Sequence, residues 1–353
     1  MSHDRLLING ELRQVKQRLC VYDPSTGELL TEAPLASASD ITEAVCAARS
    51  AFDAGPWPRL ALSERREFLS RIAAGILEKA GELAALETAN TGKPIKETTF
   101  MDVPSAARSF SYLADHLDEF VRDGTVQTQE PFAAHSTLVR EPVGVVGIIV
   151  PWNYPLLIAS WKIASALAAG NTVVVKPSTL TPCSALLLGE IIRAAGLPAG
   201  AVNIVNARAG DIADALVSSP LVDMISFTGS NETGKRIVER CASPVKKLLL
   251  ELGGKSASIV ADDADVDVAV NGTLCSCFLN QGQMCTQMSR VLVADSLYKD
   301  FVDAFVGKAT RIVLGKGSDF QTQMGPLISE AHRTQVHAAV LEAVHDGARV
   351  ACG

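Results

Sequence analysis

The 353-residue chain lacks any block of five or more basic residues, any C-x-x-C pair and any apolar run of the about eighteen residues that cross a bilayer. With a net charge of −7, the first absence argues against a nucleic-acid groove or an anionic membrane surface as partner. The opening Met1-Ser2-His3-Asp4-Arg5 has no apolar core of a secretory leader, so neither secretion nor membrane spanning is supported and a cytoplasmic protein is expected. Cysteines stand at 20, 46, 183, 241, 275, 277, 285 and 352 without the tight spacing of a disulfide framework, which fits a reducing compartment. No histidine lies between His135 and His332, so Cys275, Cys277 and Cys285 lack the usual zinc companions and no metal is expected. The same gap leaves Cys285 without a local triad partner.

What is present is apolar material enough for two sizeable cores, 48% hydrophobic residues against 20% charged. A turn at Asp23-Pro24-Ser25-Thr26-Gly27 between short apolar runs predicts a hairpin. Asp40 with Glu43 resembles a capping box opening a helix to about Gly55, and Leu69, Ile72, Ala73, Ile76 and Leu77 form a helical stripe. Gly92-Lys93-Pro94 stops a third helix, and a fourth is expected over 104–120. From 124 to 141 the pattern turns polar and β-like, with Thr125, Val126, Thr128, Thr137 and Val139, as in an excursion from the main body. Then Val143–Val150, almost wholly apolar, begins a strand and helix alternation through Cys241, including a helix over Asp211–Val217. Repeated βαβ units predict a doubly wound parallel sheet with ligands at the carboxyl ends of its strands. A second α/β lobe starts beyond Gly254, and a further β-like stretch is expected at 348–351.

Polar motifs follow these strands. Pro151-Trp152-Asn153-Tyr154-Pro155 stiffens a turn that presents an amide able to donate to a developing oxyanion, or merely to cap the next helix. Lys176-Pro177-Ser178-Thr179 offers a cation and hydroxyls to a ribose or its phosphate; a solvated lysine is the plain alternative. Gly229-Ser230-Asn231-Glu232-Thr233-Gly234-Lys235 satisfies G-x-x-x-x-G-K, yet Arg236 stands where a P-loop needs Ser or Thr, and Glu232 would repel phosphates. What survives is a small-residue turn feeding a helix N-terminus, suited to a pyrophosphate. The dinucleotide G-x-G-x-x-G is absent. Glu251-Leu252-Gly253-Gly254-Lys255-Ser256 sets a carboxylate before two glycines, and Asn280-Gln281-Gly282-Gln283-Met284-Cys285 presents a thiol after a polar turn. A nucleophile and a water-activating acid are the simplest functional pairing; a core thiol and a solvated carboxylate are the other reading.

Pro151–Pro155, Lys176–Ser178, Phe227–Ser230, Glu251–Ser256 and Asn280–Cys285, in that order and spacing, closely resemble the signatures of the aldehyde dehydrogenase superfamily, from near residue 5 to the end. The resemblance implies an α/β fold: a Rossmann-like coenzyme domain at 1–123 and 143–253, a β segment at 124–142 for oligomer contacts, and an incomplete catalytic domain at 254–353. It implies Cys285 as nucleophile, Glu251 as general base, Asn153 with the Cys285 N–H as oxyanion hole, and Lys162 on a proton path. An NAD or NADP cofactor would meet Lys176 and Thr179 at its adenosine ribose and Trp152, Gly229 and Ser230 at its pyrophosphate, with Ile149, Pro151, Ser178 and Leu252 also lining its site. The partners implied are a small-molecule aldehyde and further copies of the chain, as dimer or tetramer. Thr179 stands where many NAD-using relatives carry a ribose-binding glutamate. Relatives also continue beyond Gly353, so the expected rival is a fragment that binds nucleotide without turnover.

Overall fold

The computed structural model describes residues 4–124, 127–129, 134–208, 210, 215–243 and 245–353. Strands β1 (Leu6–Ile8), β2 (Glu11–Arg13), β3 (Arg18–Tyr22) and β4 (Leu29–Pro34) come first. Helices α1 (Ala38–Asp53), α2 (Leu62–Glu78), α3 (Ala80–Thr91) and α4 (Val103–Asp115) follow, with a short helix Leu117–Val121 completing the region expected as one fourth helix. A ribbon of β5 (Gln127–Gln129) and β6 (Ala134–Ser136) precedes β7 (Val145–Ile149), α5 (Pro155–Ala168), β8 (Thr172–Lys176), α6 (Cys183–Ala194), β9 (Val202–Ile204), β10 (Met224–Gly229), α7 (Asn231–Cys241) and β11 (Lys247–Leu252). The second lobe holds β12 (Ser256–Val260), α8 (Val266–Phe278), β13 (Met288–Val293), α9 (Asp295–Ala309) and α10 (Glu330–His345). Thr125, Val126 and the start of the helix expected at Asp211 lie outside the described residues.

The main sheet runs β11-β10-β7-β8-β9-β1-β2. From β11 to β9 every pairing is parallel, whereas β1 joins β9 and β2 in antiparallel register. The chain lays β8 and β9 on one side of β7, then returns to place β10 and β11 on the other. The boundary between β7 and β10 is therefore a topological switch point, where open α/β sheets take their ligands. Strand β8 is buried along its whole length, as a central parallel strand must be when helices cover it. Helix α5 packs between this sheet and α2 and α4. Being sandwiched, it is apolar nearly all round, and Lys162 is its one buried cation.

Three local expectations need correction. The box opening α1 is made by Ser37 and Asp40, each accepting from the other's backbone, while Glu43 reaches Arg13 instead. Leu77 is 56% exposed because it lies beyond the edge of the α2 stripe, whose remaining members are buried together with Arg65. Residues 348–351 form no strand, and no described strand pairs with them.

Packing divides in two. The larger core joins the main sheet to α1–α7; the smaller has Val260, Val270 and Phe301 at its centre, with Phe305 stacked on Phe301 at 5.9 Å. Segment 313–328 ties them together. Gly92, in the left-handed conformation that ends α3, lies under Pro326, and Ile95 N–H donates to Gly317 O at 2.8 Å.

Candidate active site

Pro155 opens α5, its fixed φ suiting the first helical position and its missing N–H costing nothing there. Tyr154 provides no side-chain cap. The cap arrives from α3, where the buried Glu87 accepts Leu156 N–H at 2.6 Å and Ser184 Oγ–H at 3.2 Å. Burial pushes the Glu87 carboxyl up to about 7, against the opposing pull of Lys93. Asn153, immediately before this helix, accepts Tyr154 N–H at 3.1 Å and donates from Nδ2 to Gln283 O at 2.8 Å. That bond spans 130 residues of sequence. It brings the candidate oxyanion donor to within two residues of Cys285.

The turn before Cys285 is left-handed at three successive residues, Asn280 (φ 50°), Gln281 (φ 56°) and Gly282 (φ 73°). Such a conformation costs about 1–2 kcal/mol at each non-glycine residue, so other bonds must hold it. Asn280 Nδ2 donates to Asn153 O at 3.0 Å and to Gln283 O at 3.2 Å, and Glu97 accepts Asn280 N–H at 3.0 Å. Gln281 Nε2 donates to Pro326 O, and Gln283 Oε1 accepts Ile328 N–H. A hydrogen bond contributes about 0.5–1.5 kcal/mol net, so the three bonds to Asn280 together offset its strain. Cys285 itself is exposed, and its carbonyl oxygen lies against Gly254, where an added Cβ would sit 3.4 Å away.

Glu251 belongs to edge strand β11, whose alternation points Lys247, Leu249 and Glu251 outward. It opens into a cavity of about 290 Å³ shared with Lys162, Ser226 and Trp161. Lys162 donates to Ser226 Oγ at 2.7 Å; burial lowers its ammonium to about 8, partly opposed by the Glu251 charge. Among the described residues no hydrogen bond joins Glu251 to Cys285. The structure thus groups Glu251 with Lys162, and Cys285 with Asn153, with the Gly253-Gly254 turn between them.

At the carboxyl ends of β7, β8 and β10, the switch point holds a cavity of about 470 Å³ lined by Ile149, Pro151, Trp152, Lys176, Ser178, Thr179, Gly229 and Ser230. Leu252 is not on its wall and packs instead on Gly234 of α7. Ser230 caps α7 by accepting Thr233 N–H. A Cβ at Gly229 would fall 2.4 Å from the Phe227 ring, so the floor stays bare backbone beside a helix N-terminus. Lys176 Nζ donates to Pro177 O, and burial lowers it to about 8. Bare backbone, helix amides and basic groups are the donor set a dinucleotide requires, so these residues fit one. Thr233, Arg236 and Arg240 also line the wall without having been foreseen. Their spacing from Ser230, one helical face, was the available signal. Trp152 rests edge-on against His332 at 5.2 Å between ring centroids. Glu97 was missed as well, since a glutamate in a polar stretch gives no sign that folding will half-bury it against Asn280.

The chain as a whole is similar to known proteins. Residues 12–353 match the model of the aldehyde dehydrogenase family. Betaine aldehyde dehydrogenase of Bacillus subtilis is 41% identical over 347 residues, covering 98% of this chain and 69% of that protein. The structure of the NAD+ complex of aldehyde dehydrogenase from Bacillus cereus superposes with a TM-score of 0.94 at 37% identity, over 99% of this chain and 71% of the other. An NADP-dependent enzyme from E. coli gives 0.94 at 36%, over 99% and 72%.

Proposed function

The chain belongs to the aldehyde dehydrogenase family, and on that premise we propose that it oxidises an aldehyde to a carboxylic acid with NAD or NADP as hydride acceptor. The observation that supports the reading is the Asn153 to Gln283 bond, which ties an amide donor to the turn two residues before the exposed Cys285. The Cys285 thiolate attacks the aldehyde carbon, and the Asn153 amide with the Cys285 N–H stabilises the resulting oxyanion. One such donor contributes about 10²–10³ in rate. A nicotinamide dinucleotide, when bound along the switch-point cavity by Lys176, Thr179 and the α7 N-terminus, supplies the hydride acceptor. Departure of hydride from the thiohemiacetal leaves a thioester on Cys285. Glu251 then takes a proton from water, hydroxide displaces the thiolate, and the acid is released. Lys162, which lines the same cavity as Glu251, would pass that proton on.

Replacing Cys285 with Ala should abolish hydride transfer, whereas Glu251→Gln should release about one reduced cofactor per site and then stall, because only deacylation needs the base. Sustained turnover by Glu251→Gln would defeat the assignment. The 124–142 segment, carrying the β5–β6 ribbon, is the proposed contact with further copies of the chain. The scattered spacing of the eight cysteines in the sequence is the ground for a reducing, cytoplasmic compartment. Among the described residues no helix is long and apolar enough to cross a membrane. A second reading, nucleotide binding without turnover, is favoured by the switch-point cavity, whose wall comes wholly from residues 149–240 and not from the lobe that carries Cys285. Titrating NAD and NADP binding alongside NAD(P)H production separates the two.

A further inference from the structure

Beneath the nucleophile turn lies a cluster of buried charge that the reaction above does not use. Lys93 is fully buried, paired with Asp102 at 2.5 Å, and its Nζ sits 3.6 Å from the centre of the Tyr154 ring. Asp102 ends a π-helical turn, Thr98–Asp102, an irregularity that recurs at functional sites. The turn begins next to Glu97. Glu87, fully buried, sends its carboxylate to the first turn of α5, as described above. Two carboxylates from one stretch of chain therefore reach the two halves of the proposed oxyanion hole: Glu87 the helix that follows Asn153, and Glu97 the turn that precedes Cys285.

We propose that Glu97 is a positioning residue for the nucleophile, its carboxylate gripping the Asn280 N–H so that the left-handed turn holds Cys285 beside the Asn153 amide. The inference rests on the reading of Cys285 as nucleophile. The bond ties residues 183 positions apart and crosses between the two lobes. Asn280 is the hub: its backbone is held by Glu97, while its side chain bonds the carbonyls of both Asn153 and Gln283. Without the Glu97 acceptor, Asn280 N–H would be left buried and unpaired in a conformation already strained, and the turn would relax toward ordinary dihedrals. Glu97 is itself fixed by its surroundings. The cation facing it is Lys93 and the anion facing it is Asp102, both within the same cluster. What the turn needs from Glu97 is an acceptor oxygen at the right reach, so an amide should serve and a shorter acid should not.

The test uses Glu97→Ala, Glu97→Gln and Glu97→Asp in the full chain, with propanal as aldehyde and NAD or NADP as cofactor. Glu97→Ala should lower kcat/KM for propanal by about ten- to a hundredfold, the scale of a misplaced reacting group, while the dissociation constant for cofactor stays within about twofold. Glu97→Gln should recover to within about threefold of the parent, and Glu97→Asp should remain well below Gln despite keeping the charge. If Glu97→Ala is insoluble, the order of Gln above Asp carries the test. Hydrogen exchange of the 279–285 peptide, read without substrate, should show lost protection in the Ala and Asp variants and retained protection in Gln. Equal activity in Ala and parent, equal damage in Gln and Ala, or unchanged exchange of 279–285 in Glu97→Ala would overturn the proposal. A parent chain silent toward aldehydes, with exchange protection following the predicted order, would sink the aldehyde reading and leave the grip on Asn280 supported.

Discussion

At the scale of single residues, cofactor choice is expected to turn on Thr179. A carboxylate at this point would repel a 2′-phosphate by several kcal/mol in a partly desolvated site, whereas a hydroxyl near Lys176 on the same cavity wall leaves that phosphate a cationic neighbour. The chain should therefore accept NADP at least comparably with NAD, and Thr179→Glu should shift preference toward NAD. Comparison of kcat/KM for the two cofactors decides it. Rejection of NADP by more than about a hundredfold, roughly 2.7 kcal/mol, in the parent chain would remove Thr179 as the determinant. Gly229 is a second sensitive position, since Ala there must displace the Phe227 ring from the cavity floor. Gly229→Ala should weaken cofactor binding about tenfold or more in a calorimetric titration.

At the scale of elements, the end of α3 governs how the 313–328 segment seats. Gly92 has φ 79°, and a Cβ there would meet Pro326 Cγ at 2.9 Å. Gly92→Ala should cost about 1–3 kcal/mol, seen as a lower urea midpoint with an unchanged slope. Most elements could be read directly from the chain, because β7 and β8 are apolar runs of strand length and α2 repeats at helical period. The short strands β1 and β2 were harder. Three residues carry little periodicity, and what fixes β1 is a partner, Ile204, far along the chain. The candidate site divides in the same way. Cys285, Glu251 and Asn153 sit in local motifs, whereas the links from Glu97 to Asn280 and from Glu87 to Leu156 exist only after distant segments pack. A glutamate's charge argues for the surface until its buried acceptor role is seen.

At the scale of the whole molecule, buried charge gives stability an unusual dependence on pH. The carboxyls of Glu87 and Glu97 rise from 4.5 to about 7, so the folded state holds protons that the unfolded chain has lost, and their contribution fades as pH climbs through 7. The ammonium groups of Lys162 and Lys176 fall from 10.5 to about 8, so their contribution is present above 10.5 and fades as pH drops through 8. The cofactor-free protein should thus be least stable between about pH 7 and 8, by a depth on the order of 3 kcal/mol. Melting temperatures from pH 5.5 to 9.5 would show the dip, with a shallower acid side in Glu97→Gln; a steady rise from 5.5 to 8 would contradict it. Stability should also be uneven. Helix α10 buries no residue while α5 is buried nearly throughout, so amides of Glu330–His345 should exchange long before those of Pro155–Ala168. The pairing of β1 with β9 has a further consequence, for time. Leu7 meets Ile204, which leaves the ribosome about 200 residues later. At about 5–20 residues per second, the three apolar residues of β1 wait roughly 10–40 s for their partner during synthesis. For that interval β1 has only β2 beside it and its other edge stays open, and a chaperone that shields the first ten residues should raise the yield of folded protein.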